Sequence, residues 1–274
     1  MDSFLLFGPQ DLRRVEMPVP VPGAAEVLIA AAFTGVCGSD VHYYRHGYCG
    51  RFIPKGPFAL GHEFSGVIHS FGEKVTGFNP GDLVAIDPSM PCRKCKECRE
   101  GRYNLCPDMR YFGSASCDPH LNGSQAGLVA IPMENVHKLP KGISLAQVSL
   151  LEPLSVAMHA VRQAGNVAGK SVLITGGGLI GQLILRVLRA FGVAHITLSD
   201  VDPFARMFSL EHGADDVIDP GIPNQWSAMM PADIVMEASG VPSALADGIR
   251  MTRRGGRIVL VGTLPEELML PTIS

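Results

Sequence analysis

A chain of 274 residues in which 46% of side chains are hydrophobic is long enough for two ordinary domains, each with a filled core. Its net charge of −3 supplies no basic surface of the kind that a phosphate backbone requires, so nucleic acid is not an expected partner. No apolar run approaches the roughly 18 residues of a membrane span, and the run at 4–7 is too short for a signal core, so we expect a cytoplasmic protein without a membrane partner.

The first half of the chain shows short strand-like runs that are separated by proline and glycine. Such runs lie at residues 26–30, 64–69 and 83–86. Strands at this spacing predict a small β-barrel or β-sandwich. The pattern becomes helical between residues 145 and 162, and we expect a domain boundary near residues 144–150.

Four cysteines lie within fifteen residues, at Cys92, Cys95, Cys98 and Cys106, in a segment rich in charged side chains. Because such a segment has no apolar core of its own, bonds from four thiolates to one metal ion would order it, and structural zinc is the expected metal. An iron–sulfur cluster is the rival, since Pro107 follows the last cysteine. The usual compact cluster run has three residues before its last cysteine, whereas this chain has seven. Loose thiols or disulfides are the remaining alternative.

Four further residues with metal-ligand chemistry stand apart from this segment: Cys37, His62, Glu63 and Glu152. Each has an ordinary interpretation when it is taken alone. A single cysteine is usually a buried structural residue, a histidine beside a glutamate is often a surface pair, and Glu152 suits the start of a helix. Spacing alone does not bring these residues together.

A glycine-rich turn follows a compact apolar run and precedes a helical pattern within the segment 171–188. Gly176 permits a tight turn, Gly178 leaves the backbone open to a pyrophosphate, and Gly181 lets the helix pack closely on the strand. The N-terminus of the helix offers free N–H groups to phosphates. The expected cofactor-binding residues of this turn are Gly176, Gly178, Leu179, Ile180 and Gly181.

Asp200 follows the next strand-like run, residues 196–198, where a dinucleotide fold carries the acid that binds the adenosine ribose. A carboxylate accepts hydrogen bonds from two ribose hydroxyls, whereas a 2′-phosphate about 4 Å away would meet a repulsion of about 4 kcal/mol per charge. NAD is therefore favoured over NADP. The alternative is an ordinary corner between a strand and a helix, with Asp200 as a turn residue or cap.

The rest of the chain alternates helical and strand-like segments. Strands are predicted at 216–218, 233–237 and 257–261, and helices at 203–212 and 242–251. Together with the two earlier runs, this gives five strands of a doubly wound sheet that normally has six. The chain is therefore expected to be truncated at its C-terminus.

Five motifs occur together in the order seen in the zinc-dependent medium-chain dehydrogenases, and the likeness covers nearly the whole chain. They are Gly-Val-Cys-Gly-Ser-Asp-Val-His at 35–42, Gly-His-Glu at 61–63, the cysteine segment at 92–106, Leu-Glu-Pro-Leu-Ser-Val-Ala-Met-His at 151–159 and the glycine turn at 175–181. The Glu-Pro-Leu segment resembles the polyol branch, which comprises sorbitol, xylitol and L-idonate dehydrogenases. The resemblance implies an α/β-plus-β architecture.

In that architecture a GroES-like β-barrel catalytic domain would span residues 1–147, and a Rossmann domain that binds NAD would span 148–274. Family members form homodimers or homotetramers, and the missing sixth strand leaves the assembly of this chain open. The resemblance also implies two zinc ions per chain, one catalytic and one structural.

The resemblance assigns a role to each matched residue. The implied catalytic set is Cys37, Ser39, His42, His62, Glu63 and Glu152. The cysteine, His62 and one of the two glutamates would hold the catalytic zinc, and the other glutamate would act through water or exchange during turnover. Ser39 and His42 match the proton-relay positions, with a cap hydroxyl and a loop-edge histidine as their ordinary alternatives.

The resemblance implies an NAD(P)-linked oxidoreductase that oxidises a secondary hydroxyl group of a polyol or sugar acid. Residues 108–115 and 119–120 favour oxidation of L-idonate to 5-keto-D-gluconate, with sorbitol or xylitol as the alternative substrate. Arg45, Arg51 and Arg110 are candidate partners for a sugar-acid carboxylate. A truncated zinc- and nucleotide-binding relative with little activity, and a metal-free quinone or enoyl reductase, are the other classes that stay open.

Overall fold

A computed structural model describes residues 1–270 of the protein. The chain divides into two compact units, Met1–Glu152 and Pro153–Ser274. The division falls after Glu152, whereas the sequence placed it after residue 147. The last four residues of the second expected domain, 271–274, lie outside the described residues.

The first unit is built mainly from short strands. Its elements in chain order are β1 (Asp2–Gly8), β2 (Asp11–Glu16), β3 (Glu26–Thr34), α1 (Gly38–His46), β4 (Phe58–Ala59), β5 (Phe64–Phe71), β6 (Leu83–Ile86), β7 (Ser89–Met90), α2 (Lys96–Arg99), β8 (Arg110–Tyr111), β9 (Leu128–Pro132), β10 (Val136–Lys138) and α3 (Leu145–Val148).

An antiparallel sheet of five strands forms the centre of the first unit, in the order β10-β6-β5-β3-β9. Strand β3 lies between β5 and β9, with Val27 opposite both Phe71 and Ile131. Apolar side chains from these strands make one buried cluster, which includes Ile29 and Phe64. A second sheet has the order β2-β1-β4, and β7 pairs with β8. In the five-stranded sheet, the segment after β3 carries Cys37, and the segment before β5 carries His62 and Glu63.

The second unit alternates helices and strands. Its elements are α4 (Leu151–Gln163), which begins two residues before the division, β11 (Ser171–Thr175), α5 (Leu179–Ala190), β12 (His195–Ser199), α6 (Pro203–Glu211), β13 (Asp216–Ile218), α7 (Pro223–Ala228), β14 (Ala232–Glu237), α8 (Pro242–Arg250) and β15 (Thr252–Leu260).

The described strands of the second unit form one parallel sheet in the order β13-β12-β11-β14-β15. A parallel sheet is covered on both faces, which explains why β11 and β12 are nearly continuous apolar runs. Ile174, Ile196 and Leu198 from the sheet pack with Ile184 and Leu188 of α5 in a fully buried cluster. From β11 the chain first adds β12 and β13 on one side and then β14 and β15 on the other. Folds of this kind bind ligands at the switch point between β11 and β14, beyond the carboxyl ends of the strands.

Two of the predicted segments differ from expectation for a reason that the backbone explains. The helix expected over 145–162 is interrupted between Val148 and Leu151. Pro153 has no N–H to donate to the carbonyl of Ser149, and its ring would clash with that carbonyl, so a new helix starts with the proline in its first turn. Strand β15 begins five residues before the expected 257 because the chain passes through a bulge at Gly255, with a positive φ of 72°, and keeps its pairing with β14.

The expected architecture is confirmed. A β-rich first unit precedes a doubly wound second unit, and five parallel strands are present in the described part of that unit. Among residues 1–270, no helix has the length and apolar character that crossing a bilayer would require.

Candidate metal centres and dinucleotide site

Three of the expected ligands of the catalytic metal come together in the first unit. Cys37 is the N-cap of α1, and His62 and Glu63 immediately precede β5. The ligand atoms of these three residues all lie within 4.8 Å of one another, and the histidine and the glutamate are buried. Gly35 leaves room for the carboxylate, because a Cβ at this position would lie 2.3 Å from Glu63 Oε2.

The charges around His62 favour its protonated form. Burial opposes the charge, but the hydrogen bond to Cys37 and the negative charges of Asp40, Cys37 and Glu152 outweigh it and raise the pKa of His62 to about 9. Burial raises the pKa of Glu63, and the negative charge of Glu152 adds to this effect while His62 opposes it. Several acidic groups therefore lie close together around His62, and a nearby positive charge would stabilise their ionised forms.

This donor set fits a divalent metal. A thiolate, an imidazole and a carboxylate are the ligands of catalytic zinc sites, which keep a fourth position open. His62 Nδ1 and Asp40 Oδ1 are buried without a hydrogen-bond partner in the described structure, and they lie 3.8 Å apart. Acidic groups that would repel each other are compatible with burial when a dication lies among them.

Glu152 stands beside this cluster and is not one of its three members. It lies in the first turn of α4, and its Oε1 accepts a hydrogen bond of 2.6 Å from the hydroxyl of Tyr111. The ring of Tyr111 meets the ring of His62 edge to face, with 5.7 Å between centroids. Burial, with the negative charge of Glu152 next in importance, raises the pKa of Tyr111 well above its ordinary value.

The two expected relay residues share helix α1. Ser39 is half-buried and His42 is exposed. A separation of three positions places both on the same side of the helix. Within the described chain no hydrogen bond joins them, and the ring of His42 instead lies 5.5 Å from that of His46.

The four cysteines of the second candidate metal centre converge. The sulfur atoms of Cys92, Cys95, Cys98 and Cys106 all lie within 4.8 Å of one another. Backbone N–H groups point at the sulfurs, with Cys92 N 3.3 Å from Cys106 Sγ and Cys95 N 3.3 Å from Cys92 Sγ. Four soft donors around one point fit a tetrahedral metal site.

The thiols differ in their local environment. Hydrogen bonds from the backbone N–H groups of Lys94 and Cys95 lower the pKa of Cys92 to about 7. Burial, together with the neighbouring Cys95 and Cys106, raises the pKa of Cys98 to about 12. Helix α2, which carries Cys98, has no buried residue, so sulfur–metal bonds are better suited than apolar packing to hold this lobe.

The glycine turn lies between β11 and α5. Gly176 has a positive φ of 99°, and a Cβ there would lie 2.8 Å from Ser239 N. At Gly178 a Cβ would meet no atom within 4 Å, and this residue caps α5 without any side-chain hydrogen bond. At Gly181 a Cβ would lie 1.9 Å from Gly176 O. The first N–H groups of α5, at Leu179 and Ile180, are therefore available to a phosphate.

Asp200 closes one side of this turn. Its Oδ2 accepts a hydrogen bond of 2.6 Å from Gly177 N, and its Oδ1 accepts one of 2.7 Å from Asp202 N. The carboxylate therefore lies at the carboxyl end of β12 next to the glycine turn, the arrangement that suits a pyrophosphate and its neighbouring ribose. The residues of the second unit fit a dinucleotide.

Sequence reasoning missed two residues that support the metal cluster. Asp40 has only 2% of its surface exposed and accepts a hydrogen bond of 3.0 Å from Cys37 N. Its position three residues after Cys37 is typical of an N-terminal helix cap, which was the available signal. Tyr111 lies on β8, far in sequence from Glu152. Nothing in the sequence around Tyr111 indicates a contact with this glutamate.

Comparison with known proteins agrees with this geometry. Residues 23–141 match the alcohol dehydrogenase GroES-like domain, and residues 180–272 match the zinc-binding dehydrogenase domain. D-xylulose reductase A of Aspergillus oryzae is 38% identical over 283 residues, with 99% of this chain and 78% of that protein covered.

Two solved structures extend the likeness to the backbone. L-idonate 5-dehydrogenase from Escherichia coli superposes with a TM-score of 0.90 at 33% identity, covering 99% of this chain and 79% of that one. A Sinorhizobium meliloti protein described as a zinc-binding dehydrogenase and bound to NADP gives a TM-score of 0.91 at 28% identity, with the same coverage.

Fold, site and relatives together define an oxidoreductase that acts on CH–OH groups. The chain belongs to the zinc-dependent medium-chain dehydrogenases, in their polyol branch. Membership confirms the expected family and enzyme class, and it confirms zinc and a nicotinamide dinucleotide as the cofactors. It also argues against the metal-free reductase that the sequence left open.

Proposed function

We propose that this enzyme oxidises the C5 hydroxyl group of L-idonate to give 5-keto-D-gluconate, with NAD as the oxidant. The observation that carries the sugar-acid part of the proposal is the position of Arg51. This arginine lines a cavity of about 420 Å³ to which Tyr111 also contributes, and Tyr111 contacts both His62 and Glu152. A cation thus lies in a cavity that shares Tyr111 with the surroundings of the metal cluster.

Cys37, His62 and Glu63 would hold the catalytic zinc, and the four cysteines of the lobe would hold the structural zinc. Lewis-acid chemistry, which zinc supplies when it is bound, makes a substrate hydroxyl group easier to deprotonate. The buried cluster keeps its three ligand atoms together within the first unit, and Asp40 lies where it can orient the imidazole of His62.

Ser39 and His42 carry the proton of the substrate hydroxyl. The Oγ atom of Ser39 accepts this proton, because the serine is half-buried at the start of α1, two residues after the ligand Cys37. The imidazole of His42 then passes it to solvent, to which this side chain is exposed.

The turn between β11 and α5 would hold the dinucleotide. The two electrons and the hydrogen that leave the carbinol carbon need an oxidised nicotinamide as their acceptor, which is the chemistry that NAD supplies when bound. Gly178 and the first N–H groups of α5 bind the pyrophosphate, and Asp200 accepts hydrogen bonds from the ribose. The carboxylate repels a 2′-phosphate, so NAD is preferred over NADP.

Xylitol is the second candidate substrate. The relative from Aspergillus oryzae is named a D-xylulose reductase and is 38% identical to this chain, compared with 33% for the L-idonate dehydrogenase. A neutral pentitol would make no use of the charge of Arg51. The two candidates therefore differ in whether a carboxylate on the substrate improves binding.

A substrate panel tests the proposal. L-idonate, xylitol and sorbitol are each incubated with the enzyme and NAD or NADP, and the reduced cofactor is followed by its absorbance. We expect the highest kcat/KM with L-idonate and NAD, and loss of turnover after removal of zinc by a chelator. A higher kcat/KM with xylitol would favour the second candidate, and no turnover with any polyol by a protein containing both zinc ions would contradict both.

A further inference from the structure

The metal cluster contains one glutamate, and a second glutamate lies beside it. Glu63 belongs to the set of three whose ligand atoms lie within 4.8 Å of one another. Glu152 is joined to the cluster through Tyr111, which donates a hydrogen bond to it and whose ring lies 5.7 Å from that of His62, yet Glu152 is outside that set. Glu152 is thus a carboxylate beyond the one that the three-ligand set uses.

The hydroxyl of Tyr111 is bound to this second carboxylate. The O–H group donates to Glu152 Oε1 across 2.6 Å, the short distance of a charge-assisted hydrogen bond. A phenol is a donor at neutral pH because its ordinary pKa is near 10. An oxygen that accepts such a bond has one lone pair engaged and is a weaker metal ligand.

The backbone around Tyr111 holds the donor in place. Strand β8 pairs with β7, so that Tyr111 lies opposite Ser89. Asp87 accepts hydrogen bonds from the N–H and the hydroxyl of Ser89, and the buried Asn135 donates to the carbonyl of Ser89 across 2.6 Å. The hydroxyl of Tyr111 therefore approaches Glu152 from a fixed strand.

The position of Glu152 is equally restricted. Pro153 forces a new helix to start at Leu151, so the glutamate belongs to the first turn of α4. A carboxylate at this end of a helix is favoured by the helix dipole. Glu152 is therefore held between a helix N-terminus and a tyrosine hydroxyl.

Charge balance favours a single carboxylate on the metal. A thiolate and one carboxylate neutralise a zinc dication, and a neutral imidazole adds no charge. A second carboxylate in the ligand set would give the metal and its ligands a net charge of −1, which is unfavourable in a buried site. Outside the ligand set, the charge of Glu152 is instead stabilised by the hydrogen bond from Tyr111.

We propose that Tyr111 is a positioning residue whose hydroxyl keeps Glu152 outside the metal ligands, so that Glu63 is the coordinating carboxylate. This inference rests on the zinc site of the proposed function. Tyr111 would thereby set which of the two glutamates holds the metal when it is bound.

The test replaces the catalytic zinc by Co(II), with zinc kept in the cysteine lobe, and records the d–d absorption bands. In Tyr111→Phe the carboxylate of Glu152 is released and enters the ligand set, so the bands shift and the metal is lost to a chelator about tenfold more slowly. The double variant Tyr111→Phe/Glu152→Gln restores the bands and the release rate. Tyr103→Phe is the control, because Tyr103 is 50% exposed.

A second variant keeps the inference open to contradiction if Tyr111→Phe fails to fold. Glu152→Gln alone leaves the cobalt bands of the wild type unchanged, because Glu152 is not a ligand. Altered bands in Glu152→Gln would overturn the inference, as would unchanged bands or faster metal release in a folded Tyr111→Phe. A wild-type protein with no metal at the cluster would instead contradict the proposed function.

Discussion

Arg51 differs from the other two candidate arginines in its surroundings. All three are exposed, with Arg45 in the last turn of α1 and Arg110 on β8. Neither belongs to the lining of the cavity that contains Arg51. Arg51 extends over the ring of Phe52, with its guanidinium carbon 5.4 Å from the ring centroid, and this contact restricts its direction.

Replacing Arg51 by methionine should therefore weaken the binding of acidic substrates. Hydrogen bonds to charged groups contribute about 1.5–3 kcal/mol, so the KM for L-idonate should rise roughly 10- to 100-fold while that for xylitol changes little. Steady-state kinetics with both substrates measure this. Arg45→Met is the matched control. An equal rise in KM for both substrates would show that the charge of Arg51 does not bind the carboxylate of L-idonate.

The expected ligands of both metal centres could be identified from the sequence only in part. The four cysteines could be read from their spacing, because a lobe without an apolar core needs metal bonds. Cys37, His62 and Glu63 needed the family resemblance, since residues 25 positions apart meet only through the pairing of β3 with β5. Tyr111 could not be predicted, because a side-chain hydrogen bond leaves no periodic pattern.

Among the elements, the corner between β11 and α5 uses its glycines for different purposes. At Gly181 a Cβ would overlap the carbonyl of Gly176, so this position serves the packing of helix on strand. At Gly178 a Cβ would meet no protein atom, so nothing in the fold requires glycine there. Its backbone, with φ −68°, is open to any residue.

The two positions should therefore respond differently to alanine. Gly178→Ala should retain the stability of the second unit and weaken NAD binding more than tenfold, because the methyl group would occupy the place proposed for the pyrophosphate. Gly181→Ala should lower the free energy of unfolding by about 3 kcal/mol. Isothermal titration with NAD and urea unfolding measure the two effects. Tight NAD binding by Gly178→Ala would contradict the assignment of the turn.

The helices and strands of the second unit were largely predictable, for a physical reason. Strands of a parallel sheet are buried on both faces, so β11, β12 and β14 read as apolar runs that stand out from their surroundings. The interruption before α4 was missed because its apolar periodicity continues through the break. Only the backbone chemistry of Pro153 causes it.

At the scale of the whole molecule, the two units have separate cores. The single tryptophan, Trp226, belongs to the second unit and packs against buried Leu173, Ala232 and Val235. Its fluorescence therefore reports on that unit. Asp233 ties three strands of the unit together, because it accepts hydrogen bonds from Ser171 N on β11 and from Arg253 Nε on β15.

The stability of the second unit should depend on Asp233 in acid. Hydrogen bonds from the backbone N–H of Ser171 and from Arg253 lower the pKa of Asp233 to about 2. A carboxyl whose pKa is lower in the folded state than in the unfolded state stabilises the fold above pH 4, and this contribution disappears as the pH falls towards 2.

Asp233→Asn should accordingly reduce the free energy of unfolding by about 1–2 kcal/mol at pH 7, with the difference vanishing near pH 2. Urea titrations followed by Trp226 fluorescence at several pH values measure this difference. Arg253→Met, which removes one partner and leaves the backbone donor, should give a smaller loss. A difference between wild type and Asp233→Asn that persists unchanged to pH 2 would contradict the role of the carboxylate.

The close approach of the four cysteine sulfurs also makes the lobe sensitive to oxidation by air. Thiolates that lie within 4.8 Å of one another need little movement to form a disulfide once no metal holds them apart. Loss of the proposed structural metal under oxidising conditions should therefore trap the lobe in a disulfide-linked state that added zinc does not reverse. Purification with a reductant preserves the capacity of the lobe to be reloaded.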